Sequence, residues 1–231
     1  VTDLNARPEE LTFPAHLLPS VSLDEEDREE LLSTLWQEIL RGEDDVELYA
    51  ELLQDHLDDE EIPDEQAHAV AEYLMDARRA QQATFGEVPE SRLATAFEAL
   101  RRAKVVAEMD FTCCGTCGAA EIGAEQAEAG DFDQWLGYVF FHEQDTESLI
   151  ESGEVCLNYG LFWPAHVSEE EFNAMSDRER DRTYDRLTLK LMKEVVVPIF
   201  EEHGIEVVWD GSMSRRIRLT GVDYYVPFPP R

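Results

Sequence analysis

The stretch GYVFFHEQDTESLIESGEVCLNYGLFW, residues 137–163, decides the fold class. Both of its ends, 137–142 and 154–163, are rich in aromatic and β-branched residues and read as strands. The polar segment between them, QDTESLIESG, is long enough for a helical turn or a short helix. Sheet and helix therefore alternate here, whereas residues 22–108 have helical spacing throughout.

From 22 to 108 apolar residues recur with a period near 3.6. Ser22 with Glu25 has the spacing of a capping box, followed by Leu31, Leu32, Leu35, Trp36, Ile39 and Leu40 on one face, and Gly42 is expected to end that helix. A second helix carries Val46, Tyr49, Leu52 and Leu53, with His56 in phase with its apolar face. A third starts near Pro63 with Ala67, Val70, Ala71 and Leu74 inward, and a fourth follows Pro89 with Leu93, Ala96, Phe97 and Leu100. Short connections between such helices imply antiparallel neighbours in a bundle.

Downstream, a helix is expected over 178–203, with Tyr184, Leu187, Leu191 and Val195 inward, a kink at Pro198 and Gly204 closing it beside His203. GIEVVWDGSMSRRIRLTG (204–221) reads as a hairpin in which Ile205, Val207 and Trp209 alternate, Asp210 and Gly211 turn, and Ile217 and Leu219 return. DYYVPF (223–228) reads as an edge strand limited by Pro227. The expected fold is α+β: an N-terminal helical bundle followed by a small, mostly antiparallel sheet flanked by helices. Its parts are an arm over 1–21, an acidic helical region over 22–108 and an α+β domain over 109–231, with no linker to prevent a shared core.

Composition narrows the function. With 231 residues and 43% apolar content the chain can bury a substantial core. Its 52 acidic and 19 basic residues give a net charge of -33, which excludes direct binding to nucleic acid or an anionic membrane, since both need a positive field. Residues 21–72 hold 20 Asp and Glu against Arg28 and Arg41, a net of -18. Such a face solvates the protein, or docks a basic protein partner, or imitates DNA phosphates; acidic surfaces are commoner than DNA mimics. The first twenty residues lack the basic start and apolar run of a signal peptide, and no window has the length of a membrane span, so a soluble cytoplasmic protein with reduced thiols is expected.

Three of the four cysteines fall in FTCCGTCGAAEI, residues 111–122: Cys113, Cys114 and Cys117. Gly118 to Ile122 reads as the first turn of a helix, which sets the thiols near helix amides that favour thiolate. As a zinc site the cluster needs a fourth ligand, and His142 and Cys156 are the available completions. Cys114 and Cys117 alone have the C-x-x-C spacing of a redox pair, although Glu121 and Glu125 oppose thiolate. A hydrolase would pair Cys114 or Cys117 with His142 and Asp145, without any local signature to support it. Reduced thiols that only pack are the remaining reading.

Gln144, Asp145 and Thr146 form a polar group after His142 that could hold a ligand, while Asp145 and Thr146 are also suited to cap the following helix. Arg178, Arg182 and Arg186 beside Asp177, Asp181 and Asp185 read as a self-neutralising helix face. There is no phosphate loop, G-x-S-x-G or H-E-x-x-H, and GDFDQW lacks the glycine and final glutamate of a calcium loop. The balance favours a non-enzymatic metal-binding or interaction module with zinc as its cofactor. A thiol redox protein or sensor using Cys114 and Cys117, and an acidic partner-binding protein, are the alternatives.

FTCCGTCGAAEI, GYVFFHEQDTE, LNYG and IEVVWDGS with RRIRL together resemble a bacterial family that shares a domain of unknown function, over residues 90–231. The resemblance implies no activity, catalytic residue or cofactor.

Overall fold

The computed structural model describes residues 4–57, 62–88, 90–130, 133–222 and 224–230. Pro89, Asp223, four residues of the acidic stretch (58–61) and the Asp131–Phe132 pair of GDFDQW lie outside the described residues. The chain forms two compact units, 1–89 with 225–231, and 90–224. This division precedes the fourth helix, whereas the sequence reading drew it after that helix, at 108.

The first unit contains α1 (Glu25–Ile39), α2 (Val46–His56) and α3 (Asp64–Gln82). The α1 cap is Asp24, whose carboxylate accepts from Asp27 N at 3.0 Å, and not the expected Ser22. Asp45 caps α2 in the same way. Leu31, Leu32, Leu35, Trp36 and Ile39 of α1, Tyr49 and Leu53 of α2, and Val70 and Leu74 of α3 are buried, so the 3.6 periodicity was read in the right phase. His56 departs from it: the ring is exposed at the end of α2, with Nδ1 3.1 Å from Leu52 O.

The expected edge strand at 223–228 is not formed among the described residues, and 225–230 belong to the first unit instead. Phe228 N donates to Gln82 Oε1 at 2.7 Å, Gln82 Nε2 donates to Phe228 O at 2.9 Å, and Arg79 Nε donates to Pro229 O at 3.0 Å. A segment with prolines at 227, 229 and 230 lacks the N–H groups a sheet ladder needs, so side chains of α3 take up its backbone.

The second unit opens with α4 (Arg92–Arg102), whose Leu93, Ala96, Phe97 and Leu100 are fully buried. Lys104, at φ 65°, ends it and starts β1 (Val105–Glu108), a strand that the sequence reading absorbed into the helical region. Then follow α5 (Gly115–Ala129), β2 (Gly137–Phe140), α6 (Glu143–Ser152), β3 (Val155–Leu161), α7 (Glu169–Ala174), α8 (Asp177–Leu191), α9 (Val197–Glu202), β4 (Glu206–Val208) and β5 (Ile217–Thr220). The sheet order is β1-β2-β3-β5-β4. Among the described residues β1 and β2 pair in parallel, and β2–β3, β3–β5 and β4–β5 are antiparallel, as the mostly antiparallel α+β reading requires.

Alternation along the strands divides the sheet into two faces. Val105, Ala107, Val139, Val155, Leu157, Ile217 and Leu219 enter the main core with Phe97, Met192, Val196 and Phe200. Val106, Phe140 and Phe162 join Ile122 of α5 in a smaller cluster. The single expected helix over 178–203 is α8 and α9 joined by a π turn at Met192–Val196. Pro198 cannot donate to the carbonyl of Glu194, and the widened turn before it absorbs the missing bond in place of a sharp kink. His203 caps α9, with Nδ1 2.7 Å from Ile199 O. Among the described residues this part of α8 forms an Arg180–Asp177 ion pair at 3.5 Å. Among the described residues no helix is long and apolar enough to cross a membrane.

Candidate metal centre

The parallel pair sets up the site. β1 leads through residues 109–114 into α5, β2 leads through Phe141 and His142 into α6, and two helix N-termini emerge beside each other at the carboxyl ends of neighbouring strands. Ligand crevices of open α/β sheets form at such strand ends, because the first helical amides there point outward unsatisfied. The two loops are tied together: Phe111 N donates to Phe141 O at 2.9 Å, Glu143 N to Thr112 O at 3.1 Å, and buried Thr146 Oγ1 to Asp110 Oδ1 at 2.6 Å. Asp110 and Thr112 adopt φ of 52° and 60°, left-handed values that cost a non-glycine residue about 1–2 kcal/mol each. These cross-loop bonds hold them there.

Cys114, extended at φ -160° and ψ 164°, is the N-cap of α5, which begins at Gly115, three residues before the expected Gly118. Gly118 serves instead for close packing: a Cβ there would lie 2.4 Å from the Phe140 ring. Cys113 is exposed, and Cys114 and Cys117 are half-buried. Their three sulfurs all lie within 4.8 Å of one another. Although Cys114 closes no side-chain cap bond, the Cys117 amide foremost, then the Cys117 thiol and the Thr116 amide, lower its pKa below the ordinary thiol value. The Cys117 thiol is pushed up to about 11, first by the Cys114 sulfur and then by that of Cys113. Of the two, Cys114 is thus the readier to ionise and Cys117 the one that holds its proton.

The other sequence candidates fall around this set. His142, the N-cap of α6, is buried, and its Nε2 is 3.0 Å from Asp145 Oδ2. Asp145 also takes the Arg216 guanidinium, which in addition donates to Cys156 O. Neither His142 nor Cys156 belongs to the set of ligand atoms within 4.8 Å. Asp145 takes the capping role expected of it as the N3 residue of the α6 capping box, its carboxylate accepting from His142 N at 3.5 Å, whereas Thr146 holds the β1 loop and Gln144 is exposed. Glu121 and Glu125 lie exposed along α5. The hydrolase reading needs a thiol–imidazole hydrogen bond, and His142 Nδ1 makes none among the described residues.

Sequence reasoning missed Asn158. It pairs across the sheet with Phe140, and its amide lies so close to Gly115 that a Cβ there would be 2.9 Å from Oδ1. The signal was available, since Cys156 and Asn158 alternate with the core residues Val155 and Leu157 and so share the α5 face.

No curated protein and no solved structure matches the chain. A family model described as a domain of unknown function matches residues 24–225, starting well before the resemblance seen at 90–231 and taking in the helices of the first unit. By that match the chain belongs to the DUF6891 family.

Proposed function

We propose that Cys113, Cys114 and Cys117 hold one thiophilic metal ion, zinc, and that the domain is a metal-binding module. The observation that carries this reading is the mutual approach of three sulfurs to within 4.8 Å at the start of one helix. A tetrahedral zinc thiolate centre, with Zn–S of about 2.3 Å, sets its sulfurs about 3.8 Å apart. The largest approach the cluster needs is therefore about 1 Å, which thiol rotation can supply. The α5 amides that favour thiolate at Cys114 act in the same direction, since only the thiolate is a strong ligand. Native mass spectrometry of freshly purified protein tests this: a mass excess of one zinc ion that disappears on denaturation and in the Cys114→Ser/Cys117→Ser variant is expected. A metal-free protein that takes up no added zinc overturns the reading.

The uneven acidity of Cys114 and Cys117 favours a second reading, a thiol redox pair. A peroxide would accept two electrons and two protons from the thiols, leaving a Cys114–Cys117 disulfide and two waters. Reversible loss of two free thiols under mild peroxide is then expected, and thiols that stay titratable eliminate it.

A further inference from the structure

Residues 225–230 of the first unit form neither helix nor strand, and among the described residues no backbone–backbone hydrogen bond ties them to the fold. Side chains hold them instead. Gln82 Oε1 accepts from Phe228 N at 2.7 Å and from Tyr225 Oη at 3.1 Å, and Gln82 Nε2 donates to Phe228 O at 2.9 Å. One amide thus answers both backbone groups of a single residue, as a neighbouring strand does in a ladder. Arg79 Nε donates to Pro229 O at 3.0 Å while its guanidinium covers the Phe228 ring, 4.9 Å from the centroid. Phe228 is buried, at 3% exposure, whereas Tyr225, Val226 and Pro229 are half-buried and Pro227 and Pro230 are exposed.

The surface beneath is shaped by residues outside the segment. Arg79 is fixed by Asp44 at 2.5 Å and by Asp76 at 3.0 Å. Gly42 turns the chain after α1 at φ 90°, a conformation suited to glycine, and a Cβ there would run into the Val226 side chain. The same residue therefore makes the turn and leaves the space that Val226 fills. Phe85 meets the Tyr225 ring edge-on at 5.9 Å. The segment has little freedom to lose on docking, because prolines at 227, 229 and 230 fix φ and favour an extended chain beforehand. A stiff extended segment with one buried aromatic anchor, held through its backbone by side chains, has the anatomy of a bound peptide; an integral element satisfies its backbone in a helix or a ladder.

We infer that Gly42, Arg79, Gln82 and Phe85 form a docking site for an extended, proline-flanked aromatic peptide of a partner protein, of Tyr-x-Pro-Phe-Pro chemistry, and that the C-terminal segment is the built-in occupant of that site. The partner's peptide displaces the segment, which holds the site closed in the free chain through its high effective concentration.

The probe is a fluorescently labelled peptide of residues 225–230, Tyr-Val-Pro-Phe-Pro-Pro, and the readout is anisotropy. Phe228→Ala in the full chain removes the anchor of the built-in occupant and leaves the site's own residues in place; the chain ending at Tyr224 serves as a second open receptor. Both are expected to bind the peptide saturably, and the unaltered chain at least about tenfold more weakly, because its tethered segment competes. Adding Gln82→Ala to the Phe228→Ala chain weakens binding by about a further tenfold, since the hydrogen bonds of that amide go with it. A peptide carrying Phe228→Ala does not bind. Open receptors that keep their native circular dichroism and bind no peptide overturn the inference: the segment is then part of the fold and not a ligand. Loss of the native spectrum in both receptors overturns it as well, because a displaceable occupant must leave a folded site behind. An unaltered chain that is a dimer, and that Phe228→Ala converts to a monomer, assigns the site to a second copy and overturns the partner peptide.

Discussion

The two faces of the sheet in the second unit are built on different physics. On one face, side chains from four strands interlock with α4, the end of α8, the π turn and α9, and Phe97 meets Phe141 and Phe200 edge-on at 5.8 and 5.9 Å. On the other, α5 commits Ile122 and Gly118 to the sheet, while Glu121, Glu125 and Glu128 face solvent. The first face holds itself by burial. The second leaves the start of α5 to cross-loop hydrogen bonds and, on the reading proposed above, to a metal ion. On that reading, stability and chemistry are separated by the thickness of one sheet.

Phe97→Ala tests the first half of that statement and is expected to have the largest effect. It removes a fully buried ring and two aromatic contacts, a loss of about 3–5 kcal/mol that spreads over the whole unit. Chemical denaturation should show the midpoint falling, and hydrogen exchange should show β1, β2 and β3 amides losing protection together. If only α4 loosens, the main core is not one cooperative body and the contrast fails.

Ile122→Ala tests the second half. Its truncation costs about 2–3 kcal/mol locally, near the lower end for a buried aliphatic residue, because its smaller cluster can relax. Amides of α5 are expected to exchange rapidly while those of β3 and β5 keep their protection. Equal loss on both sides of the sheet would mean that α5 is integral to the core, and would remove the reason for a separate tie at its N-terminus.

How much of this contrast was legible in the sequence depended on range. The strands at 137–140 and 155–161, the buried stripe of α4 and the β4–β5 hairpin announced themselves through local periodicity. β1 did not, because VVAE directly follows a helix, is only four residues long and is buried on both faces, so it has no polar alternation to display. The return of 225–230 to the first unit depends on Gln82 and Arg79, more than 140 residues away, and no local pattern encodes such a contact. At the site, cysteine spacing located the cluster. The partners of His142 were partly hidden: Asp145 lay three residues on, but Arg216 reaches it only through the β3–β5 pairing. The early start of α5 escaped because Gly115 and Thr116 are poor helix formers, and only the extended Cys114 shows where the helix begins.

The smallest expected effect concerns the thiols of the metal-free, reduced protein, and it sharpens the contrast to single residues. Cys114 has its pKa lowered by the α5 amides and by Cys117, so its thiolate is populated below the pH at which an ordinary thiol ionises. Cys117, at about 11, holds its proton through that whole range. At pH 8 a thiol of pKa 11 is thiolate in about one molecule per thousand, against roughly one in four for a free cysteine. Iodoacetamide at pH 7–8 is therefore expected to alkylate Cys114 well before Cys117, with peptide mass spectrometry reading each site. The Cys114 rate should level off at lower pH than a free thiol's, while that of Cys117 keeps rising toward pH 11. Because the Cys114 sulfur is the main cause of the raised Cys117 value, blocking Cys114 should then accelerate Cys117 in a second phase. Simultaneous alkylation at equal rates would mean that neither holds its proton more tightly than the other, and exposure alone would rank the cysteines. The α5 face would then offer three independent thiols, and the argument for a common ligand would have to rest on their distances alone.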